Sequence, residues 1–395
     1  MTPASALPPL VEPGPELTAE EIARYSRHLI IPDVGVAGQR RLKNARVLVM
    51  GAGGLGSPTL LYLAAAGVGT LGIVDFDVVD ESNLQRQILH GVADVGRAKI
   101  ESARDAIAAI NPLVRVELHD VVLTNDNAVE LFGRYDLILD GTDNFATRYL
   151  VNDAAALAHK PYVWGSIFRF SGQVSVFWED APDGRGLNYR DLYPQAPPAG
   201  LVPSCAEGGV FGLLCGTIGS LMGTEAIKLL CGIGDPLLGR LLIYDALAMT
   251  HRTVRFARDP DRAPITALID YDAFCGIPAV VDADTAADTS SITPLQLRAE
   301  LDSDDPPVLI DVREPVEWEI AALPGARLVP RGDIVDGRAS AQIPREGRVV
   351  LYCKTGIRSA QALAALRAAG LDRVVHLEGG ILAWAQQVDP EMPTY

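Results

Sequence analysis

Apolar and polar positions along residues 46–178 predict strands and helices in turn. Short apolar runs with β-branched residues are followed by segments in which apolar residues recur at helical spacing. This alternation indicates a mainly parallel sheet wound by helices. The predicted strands are Arg46–Met50, Leu71–Asp75, Leu137–Asp140 and Tyr162–Gly165, and the predicted helices are Leu60–Ala66, Gly96–Ile110 and Thr147–His159.

The pattern changes after residue 171. Strict alternation over Gly172–Trp178 predicts an antiparallel strand, and residues 179–208, rich in proline and glycine, predict a long irregular segment. Irregular segments of that length are uncommon unless they are functional. Gly209–Leu230 then predicts a buried helix, and two closing strands are predicted at Arg240–Ala246 and Thr253–Ala257.

A second, shorter α/β pattern follows residues 258–290, whose Asp, Ala, Pro and Thr lack periodicity and predict a linker. Its predicted elements are a helix from Thr293 through Leu301, strands Pro307–Val312, Arg348–Cys353 and Arg373–Leu377, a helix Ser359–Ala369 and a closing helix near Trp384. The fold class is therefore α/β, with a Rossmann-like, mainly parallel first sheet and a smaller second domain. The predicted boundaries are a flexible tail 1–16, a first domain 17–257, the linker 258–290 and a second domain 291–395.

Composition narrows the functions open to this chain. Its net charge of −16 argues against a nucleic-acid partner, so any phosphate must be held by a few local cations. No run of about 18 uncharged apolar residues suggests a membrane span. The five cysteines form no close CxxC pair, and the first residues carry no basic signal-peptide region. These features favour the cytoplasm.

A glycine-rich turn follows the first predicted strand. Residues 51–56, Gly-Ala-Gly-Gly-Leu-Gly, allow a phosphate to approach backbone N–H groups at a helix N-terminus. Asp75 closes the next strand, where it is placed to hold ribose hydroxyls. Taken alone, this fingerprint predicts an NAD-dependent oxidoreductase.

Three further segments argue against hydride transfer. Residues 82–87, Ser-Asn-Leu-Gln-Arg-Gln, bring Asn83 and Arg86 towards the phosphates, and Lys99 adds a second cation. Residues 142–144, Thr-Asp-Asn, follow a strand at the carboxyl edge of the sheet, where the carboxylate of Asp143 suits Mg²⁺. Cations and a metal carboxylate suit a phosphorus atom under attack, because charge builds on its oxygens.

Together with Arg24-Tyr-Ser-Arg27 and Gly96-Arg-Ala-Lys99, these motifs identify a resemblance over residues 17–257. The segment resembles the ubiquitin-activating-enzyme superfamily, in its small bacterial branch of molybdopterin-synthase and thiamine-pathway adenylyltransferases. The resemblance implies a homodimer in which Arg27 reaches the ATP bound to the other protomer. The alternative for Arg27 is a solvated charge on a helix face.

The same resemblance implies a reaction. A small ubiquitin-like sulfur-carrier protein ending in Gly-Gly presents its carboxylate to the α-phosphate of ATP·Mg²⁺, giving an acyl-adenylate and pyrophosphate. Arg86 and Lys99 stabilise the developing charge, and Asp143 holds Mg²⁺. The nucleotide-binding residues so implied are Arg27, Gly51, Gly53, Gly54, Asp75, Ser82, Asn83, Arg86, Lys99, Asp143 and Asn144.

Cys205 and Cys353 are candidate catalytic cysteines. Cys205, in Pro-Ser-Cys-Ala-Glu-Gly-Gly, precedes a helix whose N-terminus can lower a thiol pKa, and in relatives such a cysteine forms a thioester or acyl-disulfide; a plain buried cysteine is the alternative. Cys353 ends a strand and begins the loop Cys-Lys-Thr-Gly-Ile-Arg358, whose N–H groups can cradle a persulfide sulfur. Cys215 and Cys231 are predicted core residues.

Residues 292–395 resemble a rhodanese domain throughout, with Asp311-Val-Arg, Pro324-Gly-Ala and Glu378-Gly-Gly as its hallmarks. The resemblance implies a catalytic Cys353 and Arg358 and a sulfur donor, either a cysteine desulfurase or thiosulfate. Joined to the first domain, it implies a protein thiocarboxylate as product, for molybdenum cofactor or a related pathway. The alternatives are an oxidoreductase and an interaction scaffold with vestigial sites.

A structural zinc is expected to be missing. Relatives of the first domain commonly hold zinc with two CxxC pairs, and the corresponding stretches here are residues 188–191 and 272–275. Asn188, Asp191 and Asp272 occupy three thiolate positions, so only Cys275 is left. Structural zinc sites need four ligands, almost always Cys or His.

Overall fold

The computed structural model divides into two compact units, Met1–Val280 and Val281–Tyr395. It describes residues 7–197, 209–276, 290–339 and 341–395. Each unit has its own sheet and its own buried apolar core. Both sheets carry helices between their strands, which confirms the predicted α/β class.

The first unit is built on one large sheet. Its strands are β1 Arg46–Met50, β2 Thr70–Val74, β3 Arg115–His119, β4 Leu137–Asp140, β5 Tyr162–Phe168, β6 Ser171–Phe177, β7 Arg240–Asp245 and β8 Thr250–Arg255. They lie in the order β3-β2-β1-β4-β5-β6-β7-β8. The first five are parallel and the last three are added antiparallel. The order reverses between β1 and β4, where sheets of this kind bind ligands at the carboxyl ends.

Helices cover the sheet of the first unit. The longer ones bury apolar faces against it, and α4 ends at Gly67, whose φ of 82° is the left-handed conformation that glycine adopts without strain. The helices are α1 Ala19–Arg24, α2 Ser26–Leu29, α3 Gly35–Asn44, α4 Gly56–Ala66, α5 Lys99–Ile110, α6 Ala128–Gly133, α7 Phe145–Leu157, α8 Gly212–Cys231 and α9 Tyr271–Phe274.

Helix α8 is the core helix predicted after the irregular segment. Gly219 lets it pack closely on α4, since a Cβ there would lie 2.5 Å from Pro58 Cγ. By length and composition α8 is apolar enough to cross a membrane. Its sequence contains no long uncharged run, because Glu225 and Lys228 interrupt it. These two side chains pair at 2.5 Å, and 56% of the most apolar window is buried within the unit, as in a core helix.

Within the described residues, the first unit packs beyond both predicted boundaries. Leu7 and Val11, within the predicted tail, are buried in the core, and Leu10 N–H donates to the carbonyl of Leu229 at 3.1 Å. Residues 258–276, predicted as linker, also pack on the unit, with Tyr271 buried. The prediction failed there because side-chain contacts with distant residues hold these segments, and such contacts leave no local periodicity.

The second unit contains a smaller, fully parallel sheet. Its strands are β9 Ser291–Ile292, β10 Val308–Asp311, β11 Arg327–Leu328, β12 Val349–Tyr352 and β13 Val374–Leu377. They lie in the order β11-β10-β12-β13-β9. Val349 and Leu351 of β12 belong to one apolar cluster, while Val350 and Tyr352 belong to the other, so both faces of the sheet are covered.

Five helices accompany this second sheet among the described residues. They are α10 Pro294–Leu301, α11 Pro315–Ile320, α12 Arg331–Val335, α13 Ile357–Ala368 and α14 Gly380–Gln387. Thr293 caps α10 as predicted, since its hydroxyl accepts from the N–H of Gln296. The β12–α13 junction places Cys353 at the carboxyl edge of the sheet, beside the start of α13.

Candidate nucleotide and sulfur sites

A cavity of about 320 Å³ opens at the carboxyl ends of β1, β2 and β4. Its walls combine the glycine turn, two cations and the residues that follow β4. Among the predicted nucleotide-binding residues, those that line it are Gly51, Gly53, Gly54, Asp75, Arg86, Lys99, Asp143 and Asn144. Three other predicted residues are absent from this lining, namely Arg27 on α2, Ser82 and Asn83.

The glycine turn lines the cavity and lets backbone N–H groups lie close to a bound ligand. Gly51 has a φ of 89°, and a Cβ on Gly56 would lie 1.9 Å from the carbonyl oxygen of Gly51. The turn is tied to β2 by Asp75, whose Oδ2 accepts from the N–H of Ala52 at 2.8 Å. Asp75 therefore orders the turn as well as standing at the cavity wall.

The two predicted cations reach the cavity from different segments. Lys99 is the first residue of α5, is 6% exposed, and its Nζ lies 2.8 Å from Oδ2 of Asp77. Arg86 is anchored by a hydrogen bond of 3.1 Å from Nη1 to the carbonyl of Ser82. Ser82 thus acts on the site through Arg86. A phosphate at this wall would meet both positive charges.

The segment after β4 forms the opposite wall. Asp140 is fully buried, and its Oδ1 accepts from the N–H and hydroxyl of Thr142 at 2.9 and 2.7 Å. Burial raises the pKa of Asp140 to about 6, against the lowering effect of those hydrogen bonds. Asn144 caps α7 by accepting from the N–H of Thr147 at 2.8 Å. This turn holds Asp143 at the cavity, between two ordered neighbours.

Sequence reasoning missed several cavity residues. Gln87 lines the cavity, is 4% exposed, and its Oε1 has no hydrogen-bond partner in the described part of the chain. Asp77 orients Lys99, and Cys215, predicted only as core, is buried but also faces the cavity. Gln87 could have been predicted as a cavity residue, because it lies next to Arg86 in the motif at residues 82–87.

A second cavity of about 330 Å³ adjoins the first and is largely aromatic. The two share the wall residues Asp143, Arg148, Ser166 and Ile167. The aromatic side chains that line the second are Phe145, Tyr149, Trp164, Phe168, Tyr189 and Tyr193. The Nε1 of Trp164 is buried and finds no acceptor among the described residues. The two cavities together therefore form an elongated site, with one end suited to bind phosphate and the other end apolar.

The sulfur site of the second unit forms around Cys353. The thiol is buried, and its Sγ accepts from the N–H of Gly356 at 3.1 Å and lies 3.6 Å from the Oγ of Ser359. Gly356 has a φ of 95°, which turns the loop into the start of α13. Donors thus point at the sulfur beside a helix N-terminus, as the loop sequence predicted.

Arg358, predicted as catalytic, forms an ion pair with a carboxylate on α11. Its Nη1 and Nη2 donate to the two carboxylate oxygens of Glu317 at 2.6 and 2.7 Å. Burial raises the pKa of Glu317, but the hydrogen bonds from Arg358 and from the N–H of Glu314 outweigh it and hold the pKa below its ordinary value. Arg358 therefore ties the loop after Cys353 to α11 through a buried ion pair.

Cys231 and Cys275 are buried cysteines of the first unit. Cys205 lies outside the described residues. Cys231 is buried as predicted, and burial raises its pKa to about 11. Cys275 is also buried, and its pKa is raised by burial and by the charge of Asp272.

An arginine binds one of the two stretches in which other residues replace the thiolates, residues 188–191. Arg262 donates through Nε to Oδ1 of Asp191 at 2.7 Å and through Nη2 to Oε2 of Glu179 at 2.8 Å. Asn188 donates to the same Glu179 oxygen at 2.6 Å. The arginine side chain is 6% exposed and that of Asp191 is fully buried. This cluster, the Arg262 clasp, fastens residues 188–191 to the segment after β8.

Breaking the Arg262 clasp is expected to destabilise the first unit. Arg262→Met removes the cation beside the fully buried carboxylate of Asp191, while Glu179 keeps its ion pair with Arg258, and the loss costs about 3 kcal/mol. Urea-dependent hydrogen exchange of first-unit peptides measures this loss. Arg115→Ala is the control, because Arg115 is 72% exposed and its pair with Glu117 is worth less than about 1 kcal/mol. Equal losses in both variants would contradict the assignment.

Purified protein is expected to contain no stoichiometric zinc. The positions equivalent to thiolates are Asn188, Asp191, Asp272 and Cys275, and three of these are not soft ligands. Metal analysis of the full chain and its melting temperature with and without a chelator test this. One zinc per chain, or a fall in melting temperature on chelation, would contradict it.

Comparison with known proteins finds one family model for each part of the chain. The ThiF family model matches residues 25–264 and the rhodanese-like domain model matches residues 293–387. A probable adenylyltransferase/sulfurtransferase MoeZ of Mycobacterium tuberculosis is 67% identical, over 99% of this chain and 100% of its own length. A sulfur carrier protein adenylyltransferase of Thermus thermophilus is 53% identical, over 66% of this chain and 98% of its own.

Among solved structures, E. coli MccB with MccA-N7isoASN has a TM-score of 0.55 at 20% identity, covering 61% of this chain and 74% of that one. At that identity the likeness shows a shared fold alone. The family matches and the full-length similarity to MoeZ carry the assignment. The chain therefore belongs to the ThiF family, carries a rhodanese-like domain, and is an adenylyltransferase and sulfurtransferase.

Proposed function

We propose that the first unit transfers AMP from ATP to the C-terminal carboxylate of a small ubiquitin-like sulfur-carrier protein ending in Gly-Gly. The observation that carries this proposal is the cavity in which the glycine turn faces Arg86, Lys99 and Asp143. Adenylation requires a bound triphosphate and cations at the phosphorus under attack. The name of the Thermus thermophilus relative supports a sulfur carrier as the acceptor.

In this reaction a carboxylate oxygen of the carrier attacks the α-phosphorus of ATP, and pyrophosphate leaves with the electrons of the broken P–O bond. Lys99 and Arg86 stabilise the charge that builds on the phosphoryl oxygens, and Asp77 holds Lys99 in place. The carboxylate of Asp143 would hold Mg²⁺ with phosphate oxygens, and that cation would neutralise phosphate charge. The product is an acyl-adenylate, whose AMP is a good leaving group.

The aromatic cavity is the proposed path for the carrier tail. It meets the nucleotide cavity at Asp143 and Arg148, so a chain lying in it would bring its end to the α-phosphate. A Gly-Gly end has no side chains to obstruct the approach. The indole N–H of Trp164 offers a donor to a backbone carbonyl of the tail. Arg27, on α2 and outside this lining, is proposed to act on the partner protomer of a homodimer.

The second unit is proposed to supply sulfur as a persulfide on Cys353. A cysteine desulfurase or thiosulfate transfers a sulfane sulfur to the thiol of Cys353. This outer sulfur atom then attacks the carbonyl carbon of the acyl-adenylate and displaces AMP. The resulting acyl disulfide joins the carrier to Cys353. A second thiol attacks the Sγ of Cys353, releases the carrier thiocarboxylate and leaves a disulfide, which a thiol reductant returns to two thiols. Cys205 is proposed to form a thioester or acyl disulfide with the activated carrier, as the resemblance implies.

One experiment tests the whole sequence of steps. The full chain is incubated with ATP, Mg²⁺, thiosulfate, a thiol reductant and candidate Gly-Gly carriers, and each carrier is weighed by mass spectrometry. Replacement of one carboxylate oxygen by sulfur is the expected mass change. Carriers from molybdenum cofactor and related sulfur pathways, compared side by side, identify the partner. No mass change with any carrier, while ATP–pyrophosphate exchange proceeds, would remove the sulfur step from the proposal.

A further inference from the structure

The sulfur site touches a tyrosine that the chemistry above does not use. The hydroxyl of Tyr395 donates to Oε1 of Glu317 at 2.9 Å and accepts from Nη1 of Arg313 at 2.7 Å. Arg313 is itself fully buried and bonded to Asp311 at the end of β10. Tyr395 is therefore seated between two ordered ion pairs, each anchored in the fold.

The ring of Tyr395 makes a separate contact with the sulfur loop. The Nζ of Lys354 lies 4.6 Å from the ring centroid, within the range of a cation–π interaction. Lys354 directly follows Cys353, and its carbonyl accepts from the N–H of Leu382 at 3.2 Å. The ring thus supports the first residue after the reactive thiol.

Two routes of contact consequently run from one side chain to the two ends of the loop. One route passes from the Tyr395 hydroxyl through Glu317 to Arg358, at the start of α13. The other passes from the Tyr395 ring to Lys354. Gly356, whose N–H points at the sulfur, lies between these two ends.

We propose that Tyr395 is a positioning residue of the sulfur site, which fixes the loop 353–358 at both ends so that its donors stay aimed at the sulfur of Cys353. This inference rests on the proposed role of Cys353 as the persulfide carrier. A loop released at either end would let the N–H of Gly356 and the hydroxyl of Ser359 drift from the sulfur. Small misplacements of such donors have large kinetic effects.

The hydroxyl is suited to a permanent role. Burial raises the pKa of Tyr395 well above its ordinary value, and the hydrogen bond to Glu317 acts in the same direction. The hydroxyl therefore remains a donor to Glu317 throughout the pH range in which the protein would work. Positioning through this bond does not depend on pH in that range.

The test separates the two routes with Tyr395→Phe and Tyr395→Leu in the full chain. Phenylalanine keeps the ring beneath Lys354 and loses the hydroxyl, whereas leucine loses both. Sulfur transfer from thiosulfate to cyanide is measured as kcat and KM. Tyr395→Leu is expected to lower kcat by about tenfold or more with little change in KM, and Tyr395→Phe is expected to fall between it and the parent chain.

A second readout does not need sulfur transfer at all. Peptide mass spectrometry follows the rate at which iodoacetamide alkylates Cys353, which depends on how the loop exposes the thiol. We expect this rate to change most in Tyr395→Leu and by an intermediate amount in Tyr395→Phe. If the parent chain transfers no sulfur, the proposed function fails, while the alkylation order still tests the positioning. Should Tyr395→Leu not fold, Glu317→Gln replaces it, because it cuts the hydroxyl route at its middle member.

Tyr271→Phe is the matched control. Tyr271 is likewise a hydroxyl donor to a carboxylate, bonding Asp153 at 2.9 Å, but it belongs to the first unit. It is expected to leave both readouts unchanged. The proposal is overturned if Tyr395→Phe and Tyr395→Leu keep kcat and the alkylation rate within about twofold of the parent chain.

Discussion

Replacing Cys353 with serine is expected to abolish sulfur transfer to cyanide and formation of a carrier thiocarboxylate, with a loss of about a thousandfold or more. Serine fits the cradle formed by the N–H of Gly356 and the hydroxyl of Ser359, so the fold is retained. An oxygen, however, cannot carry a sulfane sulfur. Thiocyanate release and carrier mass are the measurements, both at low free sulfide.

Two further arms make the Cys353 result decisive. High free sulfide is expected to restore thiocarboxylate formation in Cys353→Ser, because sulfide can attack the acyl-adenylate directly. Cys275→Ser is the matched thiol control, since Cys275 is buried and burial raises its pKa, and it should transfer sulfur at the parent rate. Undiminished transfer by Cys353→Ser at low sulfide would refute the persulfide assignment.

Lys99→Met should slow carrier-dependent ATP–pyrophosphate exchange by about a hundredfold or more. Methionine keeps much of the length of lysine but removes the ammonium that lines the nucleotide cavity beside Asp77. Asp77 has a side chain that is 53% exposed, so it tolerates the loss of its cation. We expect Asp143→Ala and Arg86→Ala to lose exchange as well.

The control for Lys99 lies two residues earlier in the chain. Arg97 carries the same charge but pairs with Asp94 and Asp105 on the surface and is absent from the cavity lining. Arg97→Met should exchange at nearly the parent rate, and so should Cys353→Ala, whose site belongs to the other unit. If Arg97→Met and Lys99→Met were equally slow, general charge rather than local stabilisation would explain the effect.

Local sequence was a good guide to the parts of the sites that depend on neighbouring residues. The glycine turn at residues 51–56 follows β1 and opens α4, because glycine is the residue that permits such a tight turn. Cys353 is likewise placed by the end of β12 and the start of α13. Periodicity and turn chemistry carry enough information for features of this kind.

Contacts between distant residues could not be predicted in the same way. The guanidinium of Arg358, predicted as catalytic, is bound by Glu317, which lies 41 residues away in the chain. The strand Arg115–His119 was missed because its side chains are only partly buried on either face, which leaves a weak pattern. The aromatic cavity joins Trp164 of β5 to Tyr193 of the irregular segment, and no spacing rule relates those two positions.

The Arg262 clasp has a consequence for chemical selectivity inside the protein. Zinc-bound thiolates are nucleophiles that can attack a persulfide and draw off its outer sulfur. Guanidinium and carboxylate groups cannot accept sulfane sulfur. The described cysteines are all buried, and burial raises the pKa of both Cys231 and Cys275, so these two resist forming thiolates. Because ion pairs and not zinc thiolates hold these segments together, the enzyme has fewer groups of its own that could accept sulfane sulfur.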